Sequence, residues 1–450
     1  MISTKVNHGL SGNPRIPGDK SISHRSIIIP AISNGVCEIK NYLRSDDVIN
    51  TLDAFKSMGV EVVEKENKLK INGKGLNSLK KPNKEIYLGN SGTSARLLTG
   101  LLSSQNFETI LTGDGSLSSR PMKRIIDPLV KMNAEITSNN GRMPLIIKGQ
   151  ELSSSEIEIK IPSAQIKSGV ILAALNTKGI TKIIEHHITR DHTEIMLDAF
   201  DADIKITNQS SHRTIEINGK KELNPKNIEV PSDLSSSAFF IVAALINKKS
   251  KITLKNIDIN PTRNGILIAL EKMGAKISYH NKRFLNNELV SDIEVVSSDL
   301  IGCELDGEMA KLMIDEYPIL SIAASFANSP SIFKDLGELR VKESDRLNLI
   351  KVNLLKCGVN CKVVGDDLHI IPNKKYNIND NLIQTDFDHR IAMAFAIMGS
   401  KIGPLEISDA NSINTSFPNF SDEFNKIGGN ISWTKLLLLS MVQLHLEKKK

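Results

Sequence analysis

Apolar and small residues recur along this chain in one short phrase, apolar, x, x, apolar, small, small, followed by a β-branched strand. The six copies run from Ala54 to Val60, Leu129 to Ala134, Leu197 to Ala202, Leu270 to Ala275, Leu354 to Val359 and Phe424 to Gly429. They come at intervals of roughly 70–85 residues, too regular for chance and too long for a solenoid repeat. Each copy reads as the tail of a helix entering a strand, so the pattern predicts six like units, most naturally two domains of three. Within a unit the order is an extended segment, a turn, a first helix with an apolar face, a crossing strand, the second helix and a hairpin. Asn140-Gly141 reads as the hairpin turn of the second unit and Asp366-Asp367 as that of the fifth. First helices are expected after Pro17-Gly18-Asp19, Gly89-Asn90-Ser91, Ile161-Pro162-Ser163, Val230-Pro231-Ser232 and Thr385-Asp386, with an irregular start around Asp315-Glu316-Tyr317-Pro318. Small polar residues there are helix N-caps, and helices starting in parallel aim their amides at a shared anion site.

Composition narrows the partners. Lys and Arg number 57 against 51 Asp and Glu, a net charge of +6, which suits an enzyme for small anions as well as it suits nucleic acid. Aromatic residues make up only 4%, with five Tyr and one Trp, too few for base-stacking platforms. The four cysteines form no CxxC pair and read as buried or incidental thiols in a reducing cytoplasm. The start, Met1-Ile2-Ser3-Thr4-Lys5, lacks a signal-peptide core, and no stretch reaches the roughly 18 apolar residues of a membrane span. A leucine-rich tail closing on Lys448-Lys449-Lys450 reads as a peripheral terminal helix.

The unusual charges gather at the unit starts. Gly18-Asp19-Lys20-Ser21-Ile22-Ser23-His24-Arg25 puts a lysine and a hydroxyl at a helix start, without the spacing of an ATP loop. Gly89-Asn90-Ser91-Gly92-Thr93 leads to Arg96, with glycines that admit a ligand to the backbone. Arg120 precedes a helix, Ser163-Ala164-Gln165 opens another, and Thr189-Arg190-Asp191 adds a cation. In Arg340-Val341-Lys342-Glu343-Ser344-Asp345-Arg346, Lys342 and Arg346 are spaced to share a helix face. Singly, each is most simply a solvated face; their joint placement points to function. Glu185, His186, His187 and His192 could be drawn together as a metal site, but Asp191-His192-Thr193-Glu194 reads more simply as a helix cap with Glu at the third position.

Taken in order, these three motifs, with Asp388-His389-Arg390 and Ser416-Phe417-Pro418, resemble the 5-enolpyruvylshikimate-3-phosphate synthase family from about residue 5 to about residue 433. Thr189 to Glu194 and Ile314 to Ile319 resemble its class II branch. The resemblance implies an α/β fold of two inside-out α/β barrels, each of three βαβαββ units. Residues 1–16 with 233–433 would form the first half, 17–232 the second, and 434–450 a peripheral tail. It implies ligand binding in a cleft that closes. The implied reaction moves the carboxyvinyl group of phosphoenolpyruvate to the 5-hydroxyl of shikimate 3-phosphate, releasing phosphate, in a cytoplasmic monomer of the shikimate pathway with no metal or organic cofactor.

By motif match, Lys20, Gly92, Arg120, Gln165, Arg346 and Arg390 would hold phosphoenolpyruvate. Lys20, Ser21, Arg25, Ser163, Ala164, Gln165, Arg190, Asp315 and Lys342 would hold shikimate 3-phosphate. Asp315 would be the base toward the 5-hydroxyl and Glu343 the acid near the methylene, with Lys20 assisting. Thr415 stands where some members carry lysine. Gly92 favours inhibition by glyphosate, whereas the class II features point the other way. A sister family transfers the same group to UDP-N-acetylglucosamine but typically uses a cysteine acid in the first half, and there is no cysteine between Cys37 and Cys303. A nucleic-acid protein of related architecture would need a basic stripe with aromatics, which the sequence does not show.

Overall fold

The structure is a computed structural model that describes residues 1–65, 68–373 and 375–433; the expected tail 434–450 lies outside the described residues. The six-fold phrase proves to be a helix stop. Met58, Met132, Phe200, Met273, Cys357 and Ile427 are the C-caps of six helices. The residue after each, Gly59, Asn133, Asp201, Gly274, Gly358 or Gly428, takes positive φ. Two backbone bonds then close each end. In the first, Gly59 N–H donates to the Lys56 carbonyl at 3.0 Å and Val60 N–H to that of Phe55 at 3.1 Å; the last repeats this with Gly428 to Asn425 at 3.1 Å and Gly429 to Phe424 at 2.9 Å. This double bond satisfies carbonyls that the helix leaves orphaned and needs a left-handed residue, hence the Gly, Asn or Asp. The cap side chains themselves are buried, which is why the fourth position is apolar.

Among the described residues, six four-stranded sheets accompany these helices. Each opens with a parallel pair, such as Ile86–Tyr87 beside Glu108–Thr112, and continues with an antiparallel one. A parallel pair requires a crossover; in four sheets the buried first helix of the repeat lies in it, whereas Asn34–Lys40 with Ile228–Glu229 and Ser11–Gly12 with Lys251–Asp258 are joined only through long stretches of the chain. The chain divides into two units, one of Met1–Ile16, Asp233–Lys282 and Val290–Lys450, the other of Pro17–Ser232 with Arg283–Leu289. The sequence carries no signal for the second grouping of 283–289, the tip of the hairpin between strands Lys276–Leu285 and Glu288–Val296.

In the second unit the interior is helical. Lys20–Ala31, Gly92–Ser103 and Ala164–Leu175 are buried nearly all round, and sheets whose inner residues alternate with exposed ones cover them. The last two cross so closely that a Cβ on Gly100 would lie 1.9 Å from the Gly169 carbonyl oxygen. In the first unit the corresponding helices are Leu234–Ile246, Tyr317–Ser325 and His389–Ile402. Phe240 of that core packs against Phe417 and Phe420 at centroid distances of 5.7 and 5.8 Å, each buried ring contributing about 1.5–3 kcal/mol. Residues 1–16 supply two strands of this unit. Ile2–Ser3 pairs with Leu405–Ile407 and Ile431–Ser432, and Ser11–Gly12 with Lys251–Asp258.

Local expectations shift in four places. The fifth hairpin turns on Gly365-Asp366, with Asp367 already in the strand and Gly365 at φ 62°. The caps are Asp233 and Asp388, not Ser232 and Asp386, because Asp386 and Phe387 both adopt positive φ in the preceding turn. Asp191 makes no side-chain cap bond and Glu194 is drawn inward to a lysine. Lys342 follows a 3-10 segment, Gly337–Val341, while Arg346 opens helix Arg346–Lys356, so the two do not share a helix face. No helix among the described residues is long and apolar enough to cross a membrane.

Candidate active site

In the second unit the predicted residues sit at the starts of the three interior helices, where the first N–H groups have no carbonyl to serve. Asp19 caps the first helix through Ile22 N–H at 2.8 Å. Lys20, its first residue, pairs with the Asp47 carboxylate. Arg25 is buried one turn on, donating to Thr193 Oγ1 at 2.6 Å, Ser168 Oγ at 2.8 Å and the Ser21 carbonyl at 2.8 Å. Burial lowers its pKa to about 10 against the pull of Glu194, Asp19 and Glu288, and the nearby Arg190 charge adds to the lowering. Ser91 caps the second helix. There Arg96 donates to Gln165 Oε1 at 2.6 Å, and Gln165 Nε2 to Thr93 Oγ1 at 3.0 Å. Arg120 reaches Asn90 Oδ1 at 2.5 Å and Ser116 Oγ at 3.2 Å. Ser163 caps the third helix, which begins Ala164-Gln165. Lys20, Ser21 and Arg25 thus share one helix start, while Gly92, Arg120 and Gln165 meet around Arg96.

His24 is buried behind this surface, with Nδ1 2.8 Å from Thr51 Oγ1. Burial, then the charges of Lys20 and Arg25, push its pKa well below the ordinary value. The unfolded chain takes up a proton near pH 6.5 that the folded protein refuses. Stability therefore falls as pH drops from about 6.5 toward the folded pKa, by up to about 1.4 kcal/mol per pH unit. Denaturant titrations from pH 7 to 5 are expected to show this slope reduced by about one proton in His24→Gln.

In the first unit one guanidinium organises the predicted set. Arg346, buried to 1% exposure, donates through Nε to Asp388 Oδ2 at 2.8 Å, through Nη1 to Asp315 Oδ1 at 3.1 Å and through Nη2 to Glu343. Burial alone would lower its pKa, but Asp388, Glu343 and Asp315 reverse this and raise it. Lys342 also reaches Asp315 Oδ1, at 3.3 Å. Arg390 donates to Ser235 Oγ at 2.6 Å and the Asp315 carbonyl at 3.1 Å. Asp315 lies in the 3-10 turn Ile314–Glu316 ahead of an interior helix, and Asp388 caps another through Arg390 N–H at 2.9 Å. Thr415, at the end of a 3-10 segment, donates to the Ser412 carbonyl at 2.7 Å.

Four residues escaped the sequence reading, Asp47, Ser168, Ser235 and Lys167, whereas Thr193 and Glu316 lay in the stretches that resemble the class II branch. Only Lys167 carried a signal, a lone cation within the apolar run Ile166 to Leu175, which must be paired if buried. The conceivable metal set separates. Glu185 turns to Lys167, His186 to Glu158 at 2.8 Å and His192 to Glu288 at 2.8 Å.

Cations and helix starts clustered within each three-repeat unit, with three carboxylates on one guanidinium, define an enzyme for small, multiply charged anions. The family EPSP synthase (3-phosphoshikimate 1-carboxyvinyltransferase) matches residues 5–424. A 3-phosphoshikimate 1-carboxyvinyltransferase from Ruthia magnifica subsp. Calyptogena magnifica is 45% identical over 430 residues, 95% of this chain and 98% of that protein. One from Petrotoga mobilis is 45% identical, covering 95% and 99%. The solved EPSP synthase of Acinetobacter baumannii superposes with a TM-score of 0.84 at 39% identity, covering 95% of this chain and 98% of that one. The chain belongs to the EPSP synthase family.

Proposed function

We propose that the chain transfers the carboxyvinyl group of phosphoenolpyruvate to the 5-hydroxyl of shikimate 3-phosphate. The observation that supports it best is the Arg346 node, which holds a carboxylate pair, Asp315 and Glu343, on one buried cation. Glu343 protonates the vinyl methylene, Asp315 takes the proton of the attacking hydroxyl, and the two carbons join through oxygen as a tetrahedral ketal. A carboxylate such as that left on Glu343 then takes a methyl proton, the C–H electrons restore the double bond, and phosphate leaves with the electrons of its C–O bond. Arg346, Arg390, Arg120, Lys20, Gln165 and Gly92 hold phosphoenolpyruvate. Lys20, Ser21, Arg25, Ser163, Ala164, Gln165, Arg190, Asp315 and Lys342 hold shikimate 3-phosphate. Charge-assisted bonds from such cations offset the cost of drying the anions, and excluding water protects the cationic centre at C2. No step calls for a metal or organic cofactor. A cytoplasmic monomer completes the reading, and light scattering tests the oligomeric state.

Phosphate release from phosphoenolpyruvate, with shikimate 3-phosphate and UDP-N-acetylglucosamine offered in parallel, tests the assignment. Release with the former only, with the enolpyruvyl ether seen by mass spectrometry, is expected; release with the sugar nucleotide would overturn the acceptor.

Gly92 bears on the donor side. A Cβ there would lie 2.8 Å from Arg96 Nη1 and 3.2 Å from Arg120 Nη1, so both guanidinia must shift. Gly92→Ala is expected to raise KM for phosphoenolpyruvate about tenfold, the equivalent of about 1.4 kcal/mol of overpacking, and to weaken inhibition by glyphosate. Steady-state kinetics on both proteins check this. A parent already insensitive to glyphosate would remove the glycine argument.

A further inference from the structure

Lys167 is fully buried in the second unit, where an isolated ammonium would be untenable. Its Nζ lies 2.8 Å from Glu194, 3.1 Å from Glu185 and 3.2 Å from the Thr189 carbonyl. Glu185 in turn accepts from Thr189 N–H at 2.8 Å and from the Thr189 hydroxyl. Every polar group of Thr189 is therefore tied to this one ion pair, and the next residue is Arg190.

The same lysine braces Arg25. Lys167 and Ser168 are neighbours on helix Ala164–Leu175, and Thr193 and Glu194 on helix His192–Ala199. The Lys167 to Glu194 pair runs beside a 2.7 Å bond from Thr193 Oγ1 to Ser168 Oγ, and these two hydroxyls are the ones that receive the Arg25 guanidinium. Glu194 serves both cations, pairing with Lys167 and acting on the Arg25 charge together with Asp19 and Glu288. A buried lysine could serve stability alone, but here each of its contacts leads to an arginine placed on the acceptor substrate.

We infer that Lys167 is a positioning residue for shikimate 3-phosphate, setting Arg25 through Glu194 and the Ser168–Thr193 pair and Arg190 through Thr189. This rests on the functional reading above. Without Lys167 the two arginines lose register while Arg120, Arg346 and Arg390, the proposed donor contacts, keep theirs.

The test compares KM and kcat for both substrates in the wild type, Lys167→Met and Lys167→Met/Glu194→Gln. The double variant removes one charge of each sign, so its interior stays balanced if the single variant fails to fold. The expected result is a KM for shikimate 3-phosphate raised about tenfold or more, with KM for phosphoenolpyruvate and kcat within about threefold, in whichever variant retains the wild-type circular dichroism spectrum. A general structural role would instead lower kcat and disturb both KM values. Equal changes in both KM values, or an unchanged KM for shikimate 3-phosphate in a folded variant, overturn the inference. A wild type inactive with shikimate 3-phosphate would overturn the functional reading itself, and the two failures are told apart by that control.

Discussion

Arg346→Met is expected to destabilise the protein by about 3–5 kcal/mol and to lower turnover at least about a hundredfold. The substitution keeps most of the volume but leaves Asp388, Asp315 and Glu343 without the cation they share. Removing one partner of a buried ion pair strands the other charge in a medium that solvates it poorly. Asp388 suffers most, because it is fully buried and also caps helix His389–Ile402. Arg346→Lys restores a charge but cannot serve three carboxylates from a planar fork, so it should recover part of the stability and little of the turnover. Urea midpoints and phosphate release measure the two effects separately. A methionine variant within about 0.5 kcal/mol of wild type would contradict the central place given to this guanidinium.

Glu343→Gln and Asp315→Ala act on chemistry more than on fold. A glutamine still offers an oxygen to Arg346 Nη2 but no acidic proton, so the methylene loses its donor. Turnover should fall by about two to four powers of ten, the range of general acid–base catalysis, with circular dichroism unchanged. Asp315→Ala removes the base and one partner of both Lys342 and Arg346, so the same loss in kcat should come with a modest drop in stability. Near-normal turnover in either variant would remove that residue from the proton transfers.

What could be read from the sequence was what a few consecutive residues decide. Met58-Gly59 and its five counterparts stop helices through bonds spanning six residues, and the apolar cap and left-handed residue are visible in the letters. The placement of Lys20 and Gln165 at helix starts was legible for the same reason. Lys342 and Arg346 look like one helical face, yet Asp345 caps a helix that begins after Lys342, and spacing alone does not reveal where a helix starts. Ser235, Glu316 and Arg390 join across 81 and 155 positions, and no local pattern announces such a meeting. Lys167 was the exception in principle: its apolar surroundings predicted a buried charge, though not its partners.

The two short strands contributed by residues 1–16 set a timetable for synthesis. Ile2 emerges from the ribosome about 400 residues ahead of its neighbours Glu406 and Ser432. At roughly 5–20 residues per second, the leading segment waits for about 20–90 seconds while residues 17–232 find their own interior. Its polar backbone edge stays unsheltered throughout, so the nascent protein depends on that delay passing without a foreign strand taking the place of its own.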